Sequence, residues 1–271
     1  MQRSYDRDSL VDSWIVQSEA GEKAHAIERH ARYSPELGWR GILAVLSLPD
    51  GSQCVGPLSD DLEMLVSRYG DRFIDRIEAA AEASAAFRSC LANIHPSPTF
   101  PIPEHLWLRL SAAAGTTIGP MGTGLAELYA EIPNLSDAVT WDPHPLDPSE
   151  APSLSDSELL GCASAYVVYH QNFWAWEELD RILREDGPEA VWPFILRLVE
   201  KGSDRVLCNL GAGLLEDFLD MYGAEFIERI EARANCDRRL RFCLSHVWPS
   251  TIPESVWERV VIARGTEPQR G

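Results

Sequence analysis

"YGDRFIDRIEAAA", residues 69–81, and "YGAEFIERIEARA", residues 222–234, share nine identical residues at matched positions, and the offset of 153 between them holds well beyond both ends. Upstream, Glu63 falls on Glu216, Leu62 on Leu215, Trp39 on Trp192, and Ser34-Pro35-Glu36 on Gly187-Pro188-Glu189. Downstream, Cys90-Leu91 falls on Cys243-Leu244 and Pro96 on Pro249. Three residues then drop out, and Ile102-Pro103-Glu104-x-x-Trp107-x-Arg109 aligns with Ile252-Pro253-Glu254-x-x-Trp257-x-Arg259. The chain is a tandem duplication. Its unit is far longer than the roughly 34 to 47 residues of the common helical solenoid repeats, so each copy is expected to be a small domain.

The quoted stretch predicts a helix. Phe73, Ile74, Ile77 and Ala81 gather on one face while Asp71, Arg72, Asp75 and Glu82 point elsewhere, and Phe226, Ile227, Ile230 and Ala234 repeat the pattern. Ser34 or Gly187 can cap a helix that opens on Pro35 or Pro188, with a glutamate next at the positive end of the dipole. Pro103 and Pro253 open the last helix of each unit in the same way. Ser155 and Glu158 are spaced as a capping box, and Gly70 and Gly223 read as left-handed caps between two helices. No run alternates as a half-buried strand would. The expected fold is all-α: two duplicated helical-bundle domains, residues 1–115 and 154–271, joined by a Gly/Pro-rich linker over 116–153 that holds no basic residue.

Composition bounds the function. Of 271 residues, 24 are basic and 42 acidic, a net charge of −18, which repels nucleic-acid phosphates and anionic membranes. The start "MQRSYDRDSLVD" mixes charge where a secretory signal needs a continuous apolar run, so a cytoplasmic protein is expected. The six cysteines form no CxxC pair, and reduced thiols in apolar-periodic stretches are expected rather than disulfides.

Catalytic patterns are absent: no HExxH, no GxSxG, and no Gly-rich loop ending in Gly-Lys-Ser/Thr. "GPMGTG" at 119–124 reads as a plain turn. Asp142, His144 and Asp147 lie close together in the linker, but with no second cluster they do not make a metal site, and no cofactor is expected. The seven histidines share no position between the copies, which counts against an enzyme.

What both copies keep is structural. Glu78 and Arg109, and their counterparts Glu231 and Arg259, are expected to form partly buried ion pairs that fix the last helix and whose truncation is strongly destabilising. Trp39, Trp192, Trp107 and Trp257 are expected in cores. "YVVYHQNFWAWEELD" carries more aromatics than one helical face can bury, so it joins the two units or presents a patch to a partner.

The stretch Gly223-x-x-Phe226-Ile227-x-x-Ile230-Glu231-x-x-Ala234, then Leu244, then Pro253-Glu254-x-x-Trp257, resembles a small helical domain of unknown function found in bacterial proteins, sometimes in tandem. The resemblance implies a bacterial source and a fold, and no active site. Small acidic helical proteins of this type also resemble immunity proteins, which neutralise toxins by covering a basic active site. The leading expectation is a protein-interaction module for a basic partner, a toxin as its concrete form. Asp60, Asp61 and Glu63, or Glu216, Asp217 and Asp220, would supply acidic faces around an anchor of Phe173, Trp174 and Trp176. The rival readings are an enzyme using Glu78 or Glu231 with a histidine of the other copy, and a self-associating scaffold.

Overall fold

A computed structural model describes residues 6–95, 101–118 and 154–265, and no strand occurs among them. Residues 119–153 of the linker, with the 119–124 turn and the Asp142/His144/Asp147 cluster, lie outside the described residues. The first copy contains α1 (Arg7–Tyr33), α2 (Pro35–Ser47), a 3-10 turn (Gly51–Cys54), α3 (Val55–Ala83), α4 (Ala85–Ala92) and α5 (Glu104–Ala114). The second contains α6 (Asp156–Gln171), α7 (Trp174–Arg181), a π-helical turn (Ile182–Asp186), α8 (Pro188–Lys201), α9 (Asp204–Gly211), α10 (Leu214–Cys236), α11 (Arg238–Leu244) and α12 (Glu254–Arg264).

The stripe Phe73, Ile74, Ile77, Ala81 is buried along α3, and Phe226, Ile227, Ile230, Ala234 along α10. Trp39 lies against Phe73, and Trp192 against Phe226, at ring separations of 5.8 and 6.0 Å. Trp107 is buried, whereas Trp257 is half-buried against its core. The end of the long helix is built alike in both copies. Ser84 accepts from the Phe87 N–H and Asp237 from those of Arg239 and Leu240, while Arg88 and Arg241 donate to the carbonyls of Ala81 and Ala234 at 2.5 and 2.6 Å. Ser155 and Glu158 form the reciprocal capping box that opens α6.

Two local expectations are corrected. Gly70 and Gly223 are not caps; they lie inside α3 and α10. Glycine is needed there for close approach, because a Cβ on Gly223 would stand 2.6 Å from Val256 Cγ1 of α12, and one on Gly70 would run into Leu106 of α5. The Ser34 hydroxyl makes no capping bond at α2, and its oxygen is buried without a partner. Gly187 does precede α8, at φ +84°, where a side chain would be strained.

The compact units are drawn differently from the sequence boundaries at 115 and 154. One unit comprises residues 1–19 and 172–271, the other residues 20–171. In the first of these, Leu10, Val11 and Trp14 of α1 are buried among Val191, Leu198, Val206 and Leu207 of the second copy. Lys201 reaches Asp8 and Asp12, and Asn209 donates to the Ser18 carbonyl at 3.3 Å. In the other unit, Leu159, Ala163, Tyr166 and Val167 of α6 are buried among Ile27, Trp39, Ile42 and Leu58 of the first copy, and Arg40 bonds Asp156 at 2.5 Å. The offset of 153 maps Ala163 onto Leu10 and Val167 onto Trp14. Equivalent leading half-helices are therefore exchanged: each completes the core of the other repeat.

Candidate interaction surface on the second repeat

Helix α7 is short and amphipathic. Ala175 and Leu179 point into the core, which turns Trp176 and Glu177 outward. Phe173, just ahead of the helix, stacks on Trp176 with ring centroids 5.6 Å apart and planes 25° from parallel. Trp176 remains 38% exposed, while Trp174 is half-buried against the core. One turn on from Trp176, on the same face, stands Asp180, which accepts from Arg184 at 2.9 and 3.0 Å.

Asp180 brings α10 into the same patch. Burial pushes the Asp217 carboxyl above its ordinary range; Arg184 opposes the shift, and Asp180 and Asp220 add to it. These four charged groups therefore lie within electrostatic reach of one another. Arg181, the other cation of the segment, is already occupied by Glu178, Glu185 and Asp186. Residues 173–186 and 217–220 together carry seven carboxylates against two guanidiniums, both of them internally paired. An aromatic pair beside an excess of negative charge can accept a cationic side chain on a ring face and further cations around it.

The equivalent positions of the first repeat carry no such patch. By the same offset it carries Ala20, Lys23, Ile27, Met64 and Ser67 where the second carries Phe173, Trp176, Asp180, Asp217 and Asp220. Ile27 and Met64 are buried.

The other residues expected at a partner face are distributed differently. Asp60 is exposed, but Asp61 and Glu63 are only 5% and 6% exposed and present no face to a partner. Asp61 Oδ2 accepts from the Tyr166 hydroxyl at 2.7 Å. Burial pushes the Asp61 carboxyl up to about 7; the Tyr166 bond opposes this, and Glu28 and Asp60 add to it. Burial likewise pushes Glu63 up to about 7, opposed by the backbone N–H of His95, which donates to it. In the second copy Glu216 is half-buried and accepts from the Trp248 N–H at 3.1 Å, at the equivalent position. The shared glutamate thus holds the segment that follows α4 or α11. Trp248 itself stands 69% exposed.

Arg109 grips Glu78 with two bonds of 2.7 Å and also reaches Asp75 at 2.6 Å; Arg259 grips Glu231 at 2.8 and 2.5 Å. Both expected pairs form and are partly buried, but with side chains 30% to 42% exposed water screens them, so truncation costs much less than stranding a fully buried charge. Hydrogen bonds from the arginines hold both glutamates below the ordinary carboxylate range, which makes either a weak base. The aromatic run divides between cores, Tyr166 in the unit of residues 20–171 and Trp174 in the other.

The sequence marks Asp180 and Arg184 by no motif; the one local signal is the four-residue step from Trp176 to Asp180. Among the described residues no group of three or more His, Cys, Asp or Glu is arranged to hold a metal ion, and no helix is long and apolar enough to cross a membrane. All six cysteines are free.

A family model described as "Family of unknown function (DUF6869)" matches residues 17–118 and again 164–267, so the chain belongs to that family and carries its domain twice. Neither the curated proteins nor the solved structures contain a match to the chain.

Proposed function

We propose that this family member is a protein-interaction module whose second repeat docks a basic protein partner, with neutralisation of a basic toxin as the concrete role. One observation carries the reading: on a scaffold common to both repeats, the second alone replaces Ala20, Lys23, Ile27, Met64 and Ser67 by Phe173, Trp176, Asp180, Asp217 and Asp220. Fold maintenance does not call for these residues, since the first repeat folds without them. Trp176 with Phe173 supplies the large rigid contact area that dominates binding energy, and the carboxylates supply steering and register. The net charge of −18 extends the attraction over longer range.

The test titrates the full chain by calorimetry with a basic protein encoded beside its gene, and scores growth of cells that express that protein with and without the chain. Expected are binding that weakens as salt rises and rescue of growth. Trp176→Ala should weaken binding about 30-fold, the equivalent of roughly 2 kcal/mol. Asp217→Asn with Asp220→Asn should slow association and flatten the salt dependence. Parent-like binding by both variants would remove the surface from the account.

A further inference from the structure

Three positions of the second repeat depart together from the first. By the offset of 153, Cys208 stands where the first copy has Val55, Gly211 where it has Leu58, and His246 where it has Asn93. The fold brings all three to one place. Gly211 lets α9 close onto the end of α11, because a Cβ there would lie 2.9 Å from His246 Cβ and would also run into the Cys243 carbonyl. That closure sets Cys208 Sγ 3.1 Å from His246 Nε2.

The imidazole is oriented from its other side. His246 Nδ1 lies 2.9 Å from the Phe242 carbonyl oxygen, an atom that can only accept, so Nδ1 carries the hydrogen and Nε2 presents its lone pair to the thiol. The Ser245 hydroxyl is a further neighbour of Nδ1 at 3.2 Å, and the Phe242 ring packs on the imidazole at 4.7 Å. Nucleophile, base and a group that fixes the base are thus in sequence within hydrogen-bond reach. Cys208 and His246 are both half-buried rather than sealed in the core.

We propose that Cys208 and His246 form a reactive thiol–imidazole pair, a site of oxidation by small neutral peroxides. The sulfur attacks one peroxide oxygen while His246 Nε2 takes the thiol proton. An S–O bond forms as the O–O bond breaks, and the departing oxygen receives the proton and leaves as water or an alcohol. The sulfur is oxidised by two electrons to a sulfenic acid, and the peroxide is reduced by two. Burial, with Asp204 adding to it, pushes the Cys208 thiol above its ordinary range. Cys208 therefore rests as the thiol, and the His246 Nε2 lone pair that faces it takes the proton during attack rather than holding a preformed thiolate.

The chain contains its own controls. Cys236 is exposed, and its Sγ lies near only backbone carbonyls of its own helix, those of Ala232 and Arg233, while Cys243 is buried. The experiment treats the native full chain with hydrogen peroxide, traps sulfenic acid with dimedone, and reads each cysteine by peptide mass spectrometry between about pH 6 and 9. Cys208 should be labelled faster than Cys236 near neutrality, despite its lower exposure. His246→Asn, which installs the residue the first repeat carries, should slow Cys208 about 10- to 100-fold and leave Cys236 unchanged. Equal labelling of Cys208 in parent and variant overturns the proposal. If label at Cys243 reveals that His246→Asn has opened the fold, the parent profile decides alone. Cys208 tracking Cys236 across the whole pH range would then refute the pair, and a separate neutral-pH component at Cys208 would establish it.

Discussion

Replacing Asp61 by asparagine tests the packing of α6 on the first repeat through a single buried carboxyl. Asp61 is held against the Tyr166 hydroxyl of α6, with Glu28 and Asp60 as its charged neighbours, and its carboxyl is pushed up to about 7, chiefly by burial. In the unfolded chain it titrates as an ordinary aspartate, near 3.8. An acid whose folded value is raised binds its proton more tightly when folded, so its stabilising state is complete below about 4 and is lost as pH rises through 7. Between pH 5 and 8 the linkage amounts to about two pH units of differential protonation, roughly 2.6 kcal/mol, and relaxation around the ionised group reduces this to about 1 to 3 kcal/mol. Asparagine keeps an oxygen for Tyr166 and cannot ionise. Urea denaturation of parent and Asp61→Asn at several pH values isolates the effect, because Glu63 and the other groups not coupled to Asp61 cancel in the difference. The variant should gain on the parent by that amount from pH 5 to 8. A difference independent of pH, or one that grows toward acid, would refute the burial argument.

Two further substitutions probe contacts kept in both repeats. Gly223→Ala places a methyl group against the short, branched Val256 and should cost about 1 to 3 kcal/mol; Gly70→Ala meets the swivelling end of Leu106 and should cost less, as paired denaturation curves will show. Glu231→Gln leaves Arg259 in reach of water and should lower the melting temperature only slightly, with the difference from the parent vanishing in molar salt.

The helical class and the duplication were legible because they rest on spacing. Phe73, Ile74, Ile77 and Ala81 declare one buried face, and the same step recurs 153 residues later. What covers that face was not legible. Periodicity reports that Leu10 and Trp14 belong inside, but it does not say inside which core, and the exchange of half-helices depends on where α1 leads rather than on its pattern. The same blindness affects neighbouring charges. Asp60 and Asp61 read alike, yet one step along a helix turns a side chain by about 100°, which leaves the first in solvent and buries the second beside Tyr166. Gly70 and Gly223 looked like helix ends because glycine favours turns, whereas the fold uses them for the approach of a neighbouring helix. Cys208 and His246 are separated by the whole of α10 and α11, and no local pattern joins them.

Native-state hydrogen exchange on the full chain carrying Trp14→Ala addresses the exchanged architecture most directly. Trp14 is written in the first copy and buried in the core of the second, where its removal should cost about 3 to 5 kcal/mol. Amides of α8 to α12 should then exchange faster, with those of α2 to α5 left near parent rates. Accelerated exchange confined to α2 to α5 would contradict the account.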